Sequence, residues 1–220
     1  MFGKIIEQIK FPVTSTINRS KEETIKKGLI KLLILSAIFA IINVINTLSS
    51  IFSKYSSKGW YSYLDKDVLK ERRWEAIKDA GLIGAFFKTV LIIAVAIGVV
   101  AFLLWVISKI VKSKKEYSET LSMTNSFMTI IAAGSILNLI ISLIFAPLGL
   151  ILMFMVSIYA GYTLIYAYRD SLEIESADKL VIVTTGVFTV ILVIVIILLC
   201  AIIGVSLKNI SAISDLIKLF

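Results

Sequence analysis

The chain has 220 residues, of which 58% are hydrophobic and only 17% are charged, with 23 basic and 15 acidic side chains. A soluble domain of this length is far less apolar, so the composition predicts an all-α, polytopic integral membrane protein. One cysteine and no histidine argue against a disulfide framework and against a Cys/His metal site, and we expect no cofactor.

Residues 1–27 form a polar lead before the first apolar segment. Its first apolar side chains recur at helical spacing, at Phe2, Ile5, Ile6 and Ile9. This spacing predicts an amphipathic helix on the cytoplasmic membrane surface, and a solvated, frayed lead is the alternative. We expect Pro12 to end this helix, and Ser20 with Glu23 to form the capping box of the next one.

Five apolar segments are each long enough to cross a bilayer, which takes about 20 residues of helix. They make a single membrane domain over 28–206 and cover residues 28–48, 82–108, 127–146, 148–168 and 180–206. Residues 207–220 remain as a C-terminal tail.

The loop at 49–81 is predicted to be partly helical and to lie outside. Its helical segment has an apolar face, formed by Val68, Leu69, Ala76, Ile77 and Ala80. The aromatic side chains before it, Trp60, Tyr61 and Tyr63, are typical of a membrane interface. A ligand-binding or partner-binding loop is the alternative interpretation.

Spans three and four come from one apolar tract, residues 127–168. As a single helix it would be about 63 Å long, roughly twice the thickness of the hydrocarbon core. Pro147 and Gly149 lie in the sequence "APLG" near its middle, which favours a tight turn between two spans. A proline kink within one long tilted helix is the alternative.

Charge asymmetry predicts the orientation. Outside the spans, twelve basic residues lie on the side of the N-terminus and nine lie on the opposite side. The positive-inside rule therefore predicts a cytoplasmic N-terminus and, after five spans, an external C-terminus in a bacterial cytoplasmic membrane. The net charge of +8 also favours contact with anionic lipids, and no motif indicates nucleic-acid binding.

The predicted spans contain no aspartate or glutamate, which disfavours proton-coupled transport. Their two basic residues, Lys31 and Lys88, lie close enough to span ends to snorkel to the headgroups. Three amides remain, at Asn43, Asn46 and Asn138. Such amides form hydrogen bonds between helices more often than they bind a substrate.

Span four carries three tyrosines at helical spacing, Tyr159, Tyr162 and Tyr166. They form either a packing face or the wall of a groove for a lipid or another hydrophobic substrate. Ala94 and Gly98 are small residues four apart, a pattern that indicates a close helix contact within the fold or between copies.

Four stretches occur in a recognisable order: "FPVTST" in the lead, "YSETLSMTNSF" before span three, the "APLG" turn, and "RDSLEIESADKLVIVTTGV" before the last span. In this layout, over nearly its whole length, the chain resembles the Yip1-like family of five-span membrane proteins, particularly its short bacterial members. The resemblance implies a non-enzymatic, membrane-organising or trafficking-type protein with a cytoplasmic N-terminus. It assigns no functional residue.

Two hypotheses about function follow. The first is a scaffold or accessory subunit that acts through lipid contacts and through helix contacts with a membrane protein partner or with a second copy. The second is a small permease or lipid-handling transporter that uses the tyrosines and the asparagines. An enzyme is disfavoured because no acid, base and nucleophile can come together inside the bilayer.

Overall fold

The computed structural model describes residues 11–56, 65–172, 178–179 and 181–189. This part of the chain is helical throughout, apart from short connections. Its helices are α1 (Pro12–Glu22), α2 (Ile25–Lys54), α3 (Lys66–Asp79), α4 (Leu82–Ile110), α5 (Tyr117–Ile144) and α6 (Ala146–Ser171). Residues 178–179 and 181–189 are also helical.

Four helices in the described ranges, α2, α4, α5 and α6, are long and apolar enough to cross a membrane. The 30 residues of α2 make a helix about 45 Å long, so its ends extend beyond a hydrocarbon core of about 30 Å. The protein is therefore a multi-pass membrane protein. The predicted fifth span, 180–206, is described only at 181–189, and most of it lies outside the described residues.

The tract at 127–168 belongs to two helices that pack against each other, α5 and α6. Phe145, in extended conformation, ends α5 and precedes the first residue of α6. Pro147 lies in the first turn of α6, where an amide N–H would have no partner within the helix. The arrangement is a hairpin, but its turn lies at Phe145 and the predicted turn sequence "APLG" forms the first four residues of α6. The helix α5 begins ten residues before the predicted start of span three.

The first described helix, α1, differs from the prediction. Pro12 is the first residue of this helix. The helix predicted to end at Pro12 lies outside the described residues, so it stays a prediction. Ser20 lies in the last turn of α1, and its hydroxyl donates to the Ile17 carbonyl. The predicted capping box of Ser20 and Glu23 is therefore wrong: the N-cap of α2 is Thr24, and no side chain caps that end. The competing bond within α1 explains the difference.

The loop between α2 and α4 contains the helix α3, which is tied to the end of α2. Arg73 donates to the Tyr55 carbonyl at 2.7 Å, and its guanidinium lies 4.8 Å from the centre of the Phe52 ring. Leu69 is buried, whereas Val68 is exposed. The aromatic residues at 60–63 lie outside the described residues.

Two apolar clusters hold the bundle together. The first joins α2, α4 and α5 through Leu32, Leu35, Ile97, Ala101, Leu121 and Ala132. The second joins α4, α5 and α6 to the helical residues 181–189 through Val100, Leu104, Met123, Leu164, Tyr168, Val183 and Val187. Because lipid tails are as apolar as these side chains, close packing stabilises such contacts in a membrane.

The start of α2, the end of α4, the start of α5 and the end of α6 all lie at one end of the bundle, as the connections require. The helix α1 lies at this end and packs against α5 and α6. We call it the α1 end.

Candidate functional site

A groove with a volume of about 590 Å³ runs between α2 and α5 from the α1 end. Its apolar lining consists of Ile30, Ile34, Leu35 and Ile38 from α2 and Ala132, Ala133 and Ile136 from α5. Ile30 and Ile34 are each about half exposed, so the groove is open sideways toward the lipid. We call it the α2–α5 groove.

The mouth of the α2–α5 groove is charged. It is lined by Arg19, Glu22, Glu23, Lys27 and Lys31, from the end of α1 and the start of α2. These are three basic side chains and two acidic ones. The groove therefore joins a charged entrance to an apolar interior, as binding sites for amphiphilic molecules do.

One of the mouth carboxylates is held firmly. The side chain of Glu23 is only 6% exposed, and the ammonium of Lys31 lies 2.7 Å from its Oε1 and 2.9 Å from its Oε2. The hydroxyl of Ser122 also donates to Oε2. Lys31 thus contacts a partner carboxylate at the α1 end, and its ammonium has a fixed position at the groove mouth.

The polar start of α5 positions this end of the bundle. All seven residues from Thr120 to Ser126 are buried, although five of them are polar. The amide of Asn125 donates to the Gly28 carbonyl at 2.9 Å, which joins α5 to α2. The two helices lie close together there, since a Cβ at Gly28 would lie 3.0 Å from Leu121 Cδ2 and the Leu121 side chain would have to shift by a few tenths of an ångström. Buried polar groups that find partners in this way specify one arrangement of helices.

Sequence reasoning missed the roles of Glu23, Ser122 and Asn125. The signal that could have identified them is the polar run "TLSMTNS" at the start of an apolar helix. Such a run needs hydrogen-bond partners from neighbouring helices. The charged segments that could supply them are the one that follows α1 and the one that follows α4.

The tyrosines predicted to form a stripe on span four do lie on one side of α6. Tyr162 is 58% exposed, its ring stacks on that of Tyr166 with centroids 6.0 Å apart, and Arg169 lies 4.6 Å from the Tyr166 ring centre. Leu164 and Tyr168, two residues further along, face the bundle and are fully buried. The tyrosine stripe therefore points away from the described part of the bundle and does not line the α2–α5 groove.

The predicted asparagines lie at separate places. Asn43 donates to the Thr89 hydroxyl at 3.0 Å, a hydrogen bond between α2 and α4. Asn46 is exposed near the end of α2. Asn138 packs against the hairpin, where a Cβ at Gly149 would collide with its amide oxygen. The three amides do not converge on one site.

The small pair on α4 is divided between two environments. Ala94 packs against the first apolar cluster, whereas a Cβ at Gly98 would meet no heavy atom within 4 Å. The Gly98 carbonyl accepts a hydrogen bond from the Tyr117 hydroxyl at 3.3 Å. A tighter helix contact occurs on α5, where a Cβ at Gly134 would lie 2.5 Å from Val156 of α6.

No group of three or more His, Cys, Asp or Glu side chains that could hold a metal ion occurs in the residues the structure describes. The described acidic residues lie in α3 or near the ends of the long helices. Within the described ranges, the apolar middle of the bundle contains no aspartate or glutamate.

Comparison with known proteins gives one match. The family model of the Yip1 domain matches residues 14–199, which is most of the chain. No curated protein and no solved structure matches it.

Proposed function

Since the chain belongs to the Yip1 family of membrane proteins, we propose that it acts without catalysis, as a scaffold or accessory subunit that organises other membrane proteins. It does so through helix contacts and lipid contacts, in a trafficking-type or membrane-organising role. The observation that carries this proposal is the outward-facing tyrosine stripe of α6.

Tyr162 lies nine residues before the last residue of α6, which places it about 14 Å from that helix end. At this depth its exposed hydroxyl meets hydrocarbon unless another helix covers it. A hydroxyl in an apolar medium without a partner costs about 1–3 kcal/mol. A partner helix that accepts this hydrogen bond recovers the cost, and the flat stacked rings of Tyr162 and Tyr166 offer it a rigid surface.

The fold also favours a scaffold over a carrier with a central pathway. In the described residues, the amides at Asn43 and Asn138 bind neighbouring helices or pack against them, and they do not line a common cavity. A bundle with its polar groups used in this way is suited to holding a fixed shape.

The second hypothesis, a small permease or lipid-handling transporter, is favoured by the α2–α5 groove. Liposomes that contain the purified protein would test it. Movement of a labelled lipid or solute that is lost in Ala133→Phe, which fills the groove, would contradict a purely scaffolding role.

We place the protein in a cytoplasmic membrane with the α1 end inside. The basic residues at the groove mouth and those in the short connection between α4 and α5 support this orientation through the positive-inside rule. With the fifth span at 180–206, the C-terminus lies outside.

The scaffold proposal is tested by purifying the full chain from native membranes in mild detergent. We expect a stoichiometric protein partner or a homo-oligomer, and we expect Tyr162→Leu to reduce its recovery about five-fold, as for the loss of about 1 kcal/mol. Phe154→Leu is the matched control, because Phe154 is 68% exposed on the same helix and has no hydroxyl. A wild-type protein that purifies as a lone monomer contradicts the proposal.

A further inference from the structure

We infer that the α2–α5 groove binds one anionic phospholipid from the leaflet at the α1 end. Its phosphate lies at Lys27 and Lys31, and one acyl chain lies along Ile30, Ile34 and Ile38. This site is separate from the tyrosine stripe and does not depend on the scaffold role.

The depth of the groove matches one leaflet. From Lys27 at the mouth to Ile38 at the inner end is 11 residues of helix, or about 16 Å. Half of a hydrocarbon core of about 30 Å is about 15 Å. The groove therefore ends near the middle of the bilayer, where an acyl chain also ends.

The order of chemical groups along the groove matches that of a phospholipid. Charged side chains lie at the mouth, the hydroxyl residues Ser126 and Thr129 lie below them, and only apolar side chains line the inner part. A phospholipid presents a phosphate, then ester groups, then an acyl chain in the same order. The half-exposed Ile30 and Ile34 leave the groove open to the lipid phase, so a lipid can enter from the side.

The charge of the mouth selects an anionic headgroup. Lys31 neutralises the buried carboxylate of Glu23, and its ammonium has three donors, of which Oε2 of that carboxylate accepts one. The remaining charged side chains of the mouth are Arg19 and Lys27, which are positive, and Glu22, which is negative. The mouth therefore has a net charge of one positive unit. A headgroup with a single net negative charge, as in phosphatidylglycerol, balances it.

Native mass spectrometry of the full chain tests the site after release from nanodiscs that contain equal amounts of phosphatidylglycerol and phosphatidylcholine. We expect the wild-type chain to retain one phosphatidylglycerol. We expect Lys27→Gln to reduce the lipid-bound fraction about five-fold, the effect of one lysine near a membrane surface. Lys26→Gln is the matched control: Lys26 is the adjacent exposed lysine and does not line the groove.

A second variant tests the apolar part. Ala133→Phe fills the groove below the mouth without changing a charge, and we expect it to reduce retention of phosphatidylglycerol by a similar factor. Each variant must elute as the wild type does and keep its helix content, and Lys27→Gln alone decides the question if Ala133→Phe fails to fold. Partner recovery should remain unchanged in Lys27→Gln, which separates this site from the scaffold role.

Three results would overturn the inference. The first is equal retention of phosphatidylglycerol and phosphatidylcholine by the wild type. The second is an equal loss in Lys26→Gln and Lys27→Gln, which would show unspecific attraction to the membrane surface. The third is displacement of the lipid by excess inorganic phosphate, which would show that the mouth recognises a phosphate without its acyl chain.

Discussion

Replacing Gly134 by alanine places a methyl group where α5 meets α6, and this change tests whether the hairpin depends on close contact. The new Cβ would lie 2.5 Å from Val156 Cγ1 and 2.9 Å from Cγ2. Carbon atoms in contact are normally about 3.5–4.0 Å apart. The Val156 side chain or the two helices must therefore move by about 1 Å.

Such overpacking costs about 1–3 kcal/mol, and alanine recovers about 1 kcal/mol through its higher helix propensity. Gly98→Ala is the matched control, because a Cβ there meets no heavy atom within 4 Å and only the propensity gain applies. The free energies of unfolding of the two variants should therefore differ by about 1–3 kcal/mol. Thermal unfolding in detergent, followed by circular dichroism, should show a Tm gap of about 2–10 °C.

A double variant sharpens the test. Val156→Ala removes both γ carbons, so combining it with Gly134→Ala should cost less than the sum of the two single changes, with a coupling of at least about 0.5 kcal/mol. Equal Tm values for Gly134→Ala and Gly98→Ala, or additive effects in the double variant, would refute the proposed contact between α5 and α6.

Three other predictions concern polar groups and orientation. Asn43→Leu should destabilise the contact between α2 and α4 by about 1 kcal/mol. Adding Thr89→Val to this variant should lower the Tm little further, because the hydrogen bond is already lost, and a double-mutant cycle of Tm values measures this. Glu23→Gln should lower the free energy of unfolding by about 1–2 kcal/mol, because the buried carboxylate binds an ammonium from α2 and a hydroxyl from α5. Thermal unfolding in detergent measures this change, and an unchanged Tm contradicts the prediction. In a chain without its native cysteine, Lys70→Cys should react with an impermeant maleimide in intact cells, and Lys112→Cys should react only after permeabilisation; the reverse pattern would invert the orientation.

Apolar composition and segment length determine the class of this protein and the places where its long helices lie. The predicted spans at 28–48, 82–108 and 148–168 each fall within one helix, α2, α4 and α6, because a bilayer requires about 20 apolar residues whatever their neighbours are. The helix α5 begins ten residues before the predicted span, because most of residues 117–126 are polar and hydropathy excludes them from a span.

The N-terminal cap of α2 differs from the prediction for another reason. A serine followed three residues later by a glutamate satisfies the pattern of a capping box, but Ser20 bonds within α1 and Glu23 binds Lys31 and Ser122. Since Ser122 is 99 residues away in the chain, no local pattern predicts this contact.

By itself, then, the sequence determined a helical membrane protein with a hairpin near Pro147 and with basic segments at one end, since these features depend on composition and on backbone chemistry. Tertiary structure alone decided which polar side chains meet, that the tyrosine stripe of α6 faces outward, and that α1, α2 and α5 enclose a groove with a charged mouth. The physical reason is that a binding surface depends on the distances and rotations between helices, which packing at positions such as Gly28 and Gly134 sets.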